Sequence, residues 1–323
     1  MAGHRPPPAP APAAPRGLPD RGARTVYRYE PRRRPPRRRA AGAAAAGALG
    51  GLAALVVGVV LGFTAFGGGD GGLTASGLRP GAPASREAAT QSRLYATGEL
   101  TPVNCRLPAI DPGADSMRRF MNMLSDCLDT SWRAQFGKAR MPYGPPSRVF
   151  WDAPGRSPCG TYPSPGASAF YCPANNTMYV GMEHIVETSG GEPLSNYAVF
   201  ARVVAHEYAH HVQDRAGILL YGQQAMERAE AVEARTETSR RIELQAQCFA
   251  GAFLGAERRT LPMTRAQYEA LLADVRGRGD ERQPPGERDH GSGRNYAGWV
   301  VKGYRDQRLA VCNTWTAPSA DVD

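Results

Sequence analysis

The sequence predicts a mixed α+β domain carried behind a single transmembrane helix. Residues 40–69 carry no charged side chain and directly follow Arg37, Arg38 and Arg39. Several later stretches repeat apolar residues at helical spacing, and short aromatic and β-branched runs fall between two of them.

At 323 residues the chain has room for one large or two small domains with a substantial core. Residues 1–40 hold eleven Arg against Asp20 and Glu30, the whole of the formal +9, so the rest of the chain is formally neutral. Basic groups confined to a Pro-, Ala- and Arg-rich segment describe a disordered cytoplasmic tail and argue against a nucleic-acid-binding domain. The next segment, 41–66, is most apolar from Leu49 to Phe66 and is long enough to cross the hydrocarbon core of a bilayer. A cleaved signal peptide competes with this reading, but its charged region is usually far shorter than this tail. Arg on the N-terminal flank places that end in the cytoplasm and everything after Gly67 outside, as a single-pass protein of the cell membrane. Residues 67–98, rich in Gly, Ala, Ser and Pro, read as a flexible spacer. Order is expected to begin near Tyr95–Pro102, with a folded domain over 99–316 and a disordered end at 317–323.

Cysteine usage agrees with that topology. Cys105, Cys127, Cys159, Cys172, Cys248 and Cys312 all lie beyond the anchor, on the oxidising side. Six cysteines allow fifteen pairings. The expected bonds are Cys105–Cys127 and Cys159–Cys172, which join sequence neighbours, and the remaining Cys248–Cys312. Zinc binding by Cys and His is the alternative, but the chain has no C-x-x-C pair.

Asp115 or Ser116 could cap a helix running to about Lys138, with Met117, Phe120, Met121, Leu124, Leu128 and Trp132 on its buried face. Gly144-Pro145-Pro146 breaks the chain. Ser147–Trp151, Ala167–Tyr171 and Thr177–Val180 have strand character, and Cys159–Cys172 reads as a clipped hairpin-like unit. Asn175-Asn176-Thr177 matches a glycosylation sequon and is read as a turn. Ser195 or Asn196 could start a helix that ends near Arg215. Gln223–Arg240 is polar and helical in character, and a more apolar helix follows, with Ile242, Ala246, Phe249 and Phe253 on one side and Glu243 and Gln247 on an adjacent stripe. Residues 278–294 form a polar loop containing His290. A last helix, about Asn295–Arg305, presents Tyr296, Trp299, Val300 and Tyr304.

The helix predicted over 196–215 carries His206-Glu207-Tyr208-Ala209-His210, an H-E-x-x-H motif. Four residues apart, His206 and His210 project from one helical face and can bind one Zn²⁺, with Glu207 beside them to take a proton from water. His211 lies about 140° around the helix from His206 and is assigned to the surface or to a supporting role. His184 has no paired ligand and is assigned a structural role. Catalytic zinc commonly has three protein ligands. The pattern with a third His fails, because Gln213 and Ala216 stand where Gly and His are required. An acidic ligand from a later helix remains, with Glu243 the best candidate and Glu227, Glu230 and Glu233 weaker ones.

H-E-Y-A-H-H-V-Q, followed by E-L-Q-A-Q-C-F-A-G, resembles the bacterial neutral zinc metallopeptidase family, and so do Cys159-Gly160, Phe170-Tyr171-Cys172-Pro173 and His290-Gly291-Ser292. The likeness covers roughly residues 99–316. It implies a zincin-type α+β fold with a small sheet beside the active-site helix, and a gluzincin-like ligand set: His206, His210 and Glu243 on zinc, with Glu207 as the base. The implied reaction is hydrolysis of peptide bonds in a peptide or protein substrate. His290 is the candidate second donor to the oxyanion, with a capping or loop histidine as the competing reading. One departure matters. The family usually has E-L-Q-A-D-C, and Gln247 replaces that Asp, where it is expected to support a ligating imidazole. The leading expectation is a membrane-anchored zinc peptidase. An inactive zincin domain serving as an envelope scaffold is the second reading, and a metal-free disulfide-stabilised domain the third.

Overall fold

The computed structural model describes residues 84–163 and 167–323. The expected tail and transmembrane helix, with most of the spacer, lie outside the described residues, among which no helix is long and apolar enough to cross a membrane. Eight α-helices and a small mixed sheet make up the described architecture.

Order begins earlier than the sequence suggests. Helix α1 (Arg86–Thr90) and a 3₁₀ turn (Arg93–Ala96) form part of the domain, with Ala89 and Leu94 fully buried. The composition of 67–98 hides this, because few apolar side chains carry the packing. The C-terminal end departs in the same way. Ser319–Asp321 form a 3₁₀ turn and Val322 is buried, so 317–323 is packed and not a disordered end.

Helix α2 (Ala114–Lys138) buries the six residues expected of it, and Trp132 packs against Phe249 with ring centroids 5.5 Å apart. Its N-cap is Gly113, not Asp115 or Ser116. Asp115 instead sits in the first turn, where its charge suits the helix dipole. Strands β1 (Ser147–Trp151), β4 (Ala169–Cys172) and β5 (Thr177–Gly181) form one sheet in the order β1-β5-β4, parallel then antiparallel. This leaves β4 at an edge. Between β1 and β4, β2 (Gly155–Ser157) and β3 (Gly160–Tyr162) pair as a separate hairpin. Asn176, in the turn from β4 to β5, takes a left-handed conformation that Asn tolerates. Helix α3 (His184–Thr188) follows, with the His184 ring tilted against Trp151, centroids 4.5 Å apart.

Helix α4 (Tyr197–Arg215) is buried on nearly every side, consistent with its run of Ala and Val, and packs against α2 and β4. The polar stretch after it does not form one helix. It divides into α5 (Ile218–Arg228) and the first turns of α6 (Val232–Ala256), which continues without a break into the apolar segment. Helix α7 (Arg265–Arg276) was not apparent in the sequence reading. It opens on a capping box between Thr264 and Gln267. Helix α8 (Gly293–Asp306) lies along α6. A side chain at Gly251 would meet Val300 O at 2.2 Å and one at Gly303 would meet Cys248 O at 2.0 Å, so only glycine allows this approach.

Three disulfides join Cys105–Cys127, Cys159–Cys172 and Cys248–Cys312, the pairs expected from the sequence. The second ties the β2–β3 hairpin to β4, and the third ties α6 to the segment after α8.

Candidate metal centre and cleft

Helical spacing brings His206 and His210 to one face of α4, and α6 crosses that face with Glu243. His206 Nε2 lies 3.2 Å from His210 Nε2 and 3.1 Å from Glu243 Oε2, and His210 Nε2 lies 3.5 Å from Glu243 Oε1. A tetrahedral ion with donors at about 2.0–2.1 Å spaces those donors about 3.3–3.4 Å apart. The three observed separations lie close to that value, the two to Glu243 running to different carboxylate oxygens. The donor set therefore fits zinc. Glu227, Glu230 and Glu233 are exposed and stand outside this group.

Without an ion, burial and mutual charge set the protonation states. Burial lowers His206 to about 3. Burial would also lower His210, but the Glu243 carboxylate outweighs it and raises this imidazole to about 9. Glu243 itself is held well below the usual carboxylate range by the histidines, against the pull of burial. Glu207, 8% exposed, is pushed up to about 7 by burial, near the value that suits a general base at neutral pH.

These groups line a cleft that opens to solvent at its mouth. Ser168–Tyr171, at the edge strand β4, form part of its wall. The apolar cluster Tyr171, Leu219, Met226 and Ile242 forms another part. His290 also reaches the cleft, with Nε2 4.0 Å from Glu243 Oε2 and Nδ1 2.6 Å from Asp289 Oδ1. Asp280 accepts the backbone N–H groups of His290 (2.6 Å) and Gly291 (3.0 Å), which fixes the loop. Burial would lower His290, yet Asp289 and Glu243 raise it to about 9, so it stands ready to donate a proton or hydrogen bond.

Two expectations about supporting residues need correction. His211 is not at the surface. It is fully buried and donates from Nε2 to Gly144 O at 2.8 Å, and burial lowers it to about 3. Gln247 is buried one turn beyond Glu243, but it supports no imidazole. Among the described residues neither of its amide atoms has a hydrogen-bond partner, and neither has His206 Nδ1.

Other groups at the site were missed in the sequence. Gln213, three residues after His210, accepts its Nδ1–H at 2.9 Å. Arg202, one turn before His206, joins a buried cluster with Asp274 and Arg278, and both guanidiniums line the cleft. Helix arithmetic from the two histidines would have found Gln213 and Arg202. Tyr296 lines the cleft as well, its ring centroid 6.4 Å from that of His206 and 6.1 Å from that of His290.

A family model described as "Putative neutral zinc metallopeptidase" matches residues 29–315. The chain belongs to this family. Among curated relatives, the uncharacterized protein YpfJ of Escherichia coli K12 is 28% identical over 276 residues, covering 82% of this chain and 86% of that one. The uncharacterized protein Rv2575 of Mycobacterium tuberculosis H37Rv is 30% identical over 172 residues, covering 46% and 55% respectively. No solved structure matches.

Proposed function

We propose that this family member is a zinc-dependent peptidase held at the membrane with its folded domain outside the cytoplasm. The observation that carries the peptidase reading is the His206–His210–Glu243 triangle, with its 3.1–3.5 Å edges, beside the buried Glu207 in an open cleft. Zinc held by these three residues supplies Lewis acidity, which polarises a carbonyl and lowers the pKa of water. Glu207 takes the proton from the attacking water and returns it to the leaving amine. His290, kept protonated by Asp289, donates toward the oxyanion that develops on the carbonyl. The position of β4 at the edge of its sheet supports a peptide as the substrate class, because an extended chain can add to such an edge beside the site. Arg37–Arg39 before the uncharged run supports the topology, and the three disulfides accord with an oxidising compartment.

The test uses the full chain in detergent and an unstructured protein as substrate. Wild type should bind one zinc and cleave in a chelator-sensitive way. Glu207→Gln should keep zinc and lose about 10²–10⁴-fold in kcat. Glu243→Ala should lose stoichiometric zinc, whereas Glu233→Ala should keep it. Cleavage that survives both chelator and Glu207→Gln would sink the reading.

A further inference from the structure

We infer that Gln213 and Gln245 form a polarised hydrogen-bond relay that fixes the tautomer of His210, and that Tyr95 anchors its far end. This rests on the zinc reading of the cleft. The relay begins where His210 Nδ1 meets Gln213 Oε1 at 2.9 Å. Gln213 Nε2 donates to Ile242 O at 2.8 Å and to Gln245 Oε1 at 3.1 Å. Gln245 Nε2 donates to Cys312 O at 3.1 Å and to the Tyr95 hydroxyl at 2.8 Å, and that hydroxyl donates to Ala89 O at 2.7 Å. Gln213 and Gln245 are both fully buried.

Two fixed acceptors set the direction of the relay. Ile242 O and Cys312 O are backbone carbonyls and can only accept. Each therefore requires the NH₂ end of the glutamine facing it. With Gln213 Nε2 committed to Ile242 O and Gln245, its oxygen must face His210. An amide oxygen cannot donate, so Nδ1 must carry a proton, and in the neutral imidazole that a metal ligand requires Nε2 is left with its lone pair toward Glu243 and His206. Both Gln213 hydrogens and both Gln245 hydrogens are used, and reversing either amide would oppose two carbonyl oxygens in a buried site, at a cost of about 1–3 kcal/mol per unsatisfied group.

The relay joins parts of the chain far apart in sequence. Ile242 precedes Glu243, so the bond from Gln213 also fixes α4 against α6 next to the third donor. The Cys248–Cys312 disulfide holds Cys312 O within reach of Gln245. Tyr95 belongs to the short N-terminal turn that the composition assigns to a spacer. Gln213, Gln245 and Tyr95 do not themselves line the cleft, and Gln213 reaches it only through His210 and Ile242, so they are positioning residues.

The test measures zinc affinity of the full chain by chelator competition, and the absorption spectrum of the cobalt-substituted protein. Gln213→Met, close in shape but without an acceptor, should weaken zinc by about 10–100-fold and alter the cobalt spectrum. Gln213→Glu keeps an acceptor for Nδ1–H and, with its second oxygen protonated, can still donate to Ile242 O, so it should recover part of that loss, which a purely structural role would not predict. Gln245→Met should fall between wild type and Gln213→Met, and carries the test if the latter fails to fold. In zinc-loaded wild type, nitrogen-15 NMR should show a solvent-protected proton on His210 Nδ1. A folded Gln213→Met with wild-type zinc affinity and cobalt spectrum would overturn the relay while leaving the zinc reading intact, as would a freely exchanging Nδ1–H. Failure of wild type to take up zinc would remove both.

Discussion

Behind His210 the protein places two buried amides and a phenol; around His206 it places charge. The His210 side is neutral, and every donor in it has an acceptor. On the other side, His206 Nδ1 has no partner among the described residues, and one turn earlier Arg202 shares the Asp274 carboxylate with Arg278. The contrast separates two requirements of one site. A neutral relay fixes where a proton sits without adding a field, which suits a group that must present a lone pair. Two guanidiniums against one carboxylate leave a positive surplus near Glu207, which favours its ionised form against burial. The same cluster docks α7 onto α4, so it also serves the fold.

The charged side should therefore fail by unfolding and the neutral side by loss of metal affinity. The largest effect is expected from Asp274→Asn, which leaves two buried guanidiniums without a counter-charge and should cost about 3–5 kcal/mol. Burial would raise the Asp274 carboxyl, but Arg202 and Arg278 hold it below the usual range. A carboxyl depressed in the folded state contributes stability that is full above its unfolded value, about 3.9, and is lost as pH falls through the folded one. Urea unfolding at pH 7 and pH 3 reads both effects. The gap between wild type and Asp274→Asn should be wide at pH 7 and narrower at pH 3. An equal gap at both would show that the carboxylate is not the source.

The sequence made the group His206, Glu207, His210 and Glu243 legible and left the residues that support it hidden. H-E-x-x-H fixes its own geometry, because a helix places residues i and i+4 on one face whatever surrounds them. Glu243 was within reach of argument because it opens an apolar segment, and packing requires such a segment to meet the central helix. The three disulfides followed from sequence proximity and remainder. Contacts that depend on tertiary placement could not be read. Asp274 lies 72 residues from Arg202, and Tyr95 lies 150 from Gln245. Gln247 was given the role that Gln213 fills. Both choices rest on helical spacing, one turn beyond Glu243 and nearly one turn beyond His210, and only the packing of α4 on α6 decides between them.

A smaller effect, on turnover alone, is expected from His290→Ala. Its imidazole faces the cleft from a loop and is oriented by Asp289, on neither the neutral relay nor the charged cluster. Zinc content should stay at the wild-type value while kcat falls by about 10²–10³-fold, the usual cost of removing one oxyanion donor. An unchanged kcat would reduce His290 to a loop residue.

The smallest effect tests whether the His206 side can be made to resemble the His210 side. Among the described residues, buried Gln247 has both amide atoms unpaired, and the buried Nδ1 of His206 on the adjoining helix is unpaired too. Gln247→Asp would offer a carboxylate as acceptor for that Nδ1–H, which fixes the tautomer and raises the basicity of the ligand. Two terms oppose the gain. The new carboxylate is desolvated, and it lies one turn from the Glu243 charge, so without metal it should be protonated and the protein somewhat less stable. Bound zinc offsets the added negative charge, so the gain should appear in affinity and not in the stability of the metal-free protein. Zinc should bind up to about tenfold more tightly, the lower end of what such a partner contributes, while the metal-free melting temperature falls. If Gln247→Asp leaves zinc affinity unchanged, position 247 does not reach His206, and the charged surroundings of that histidine are its only support.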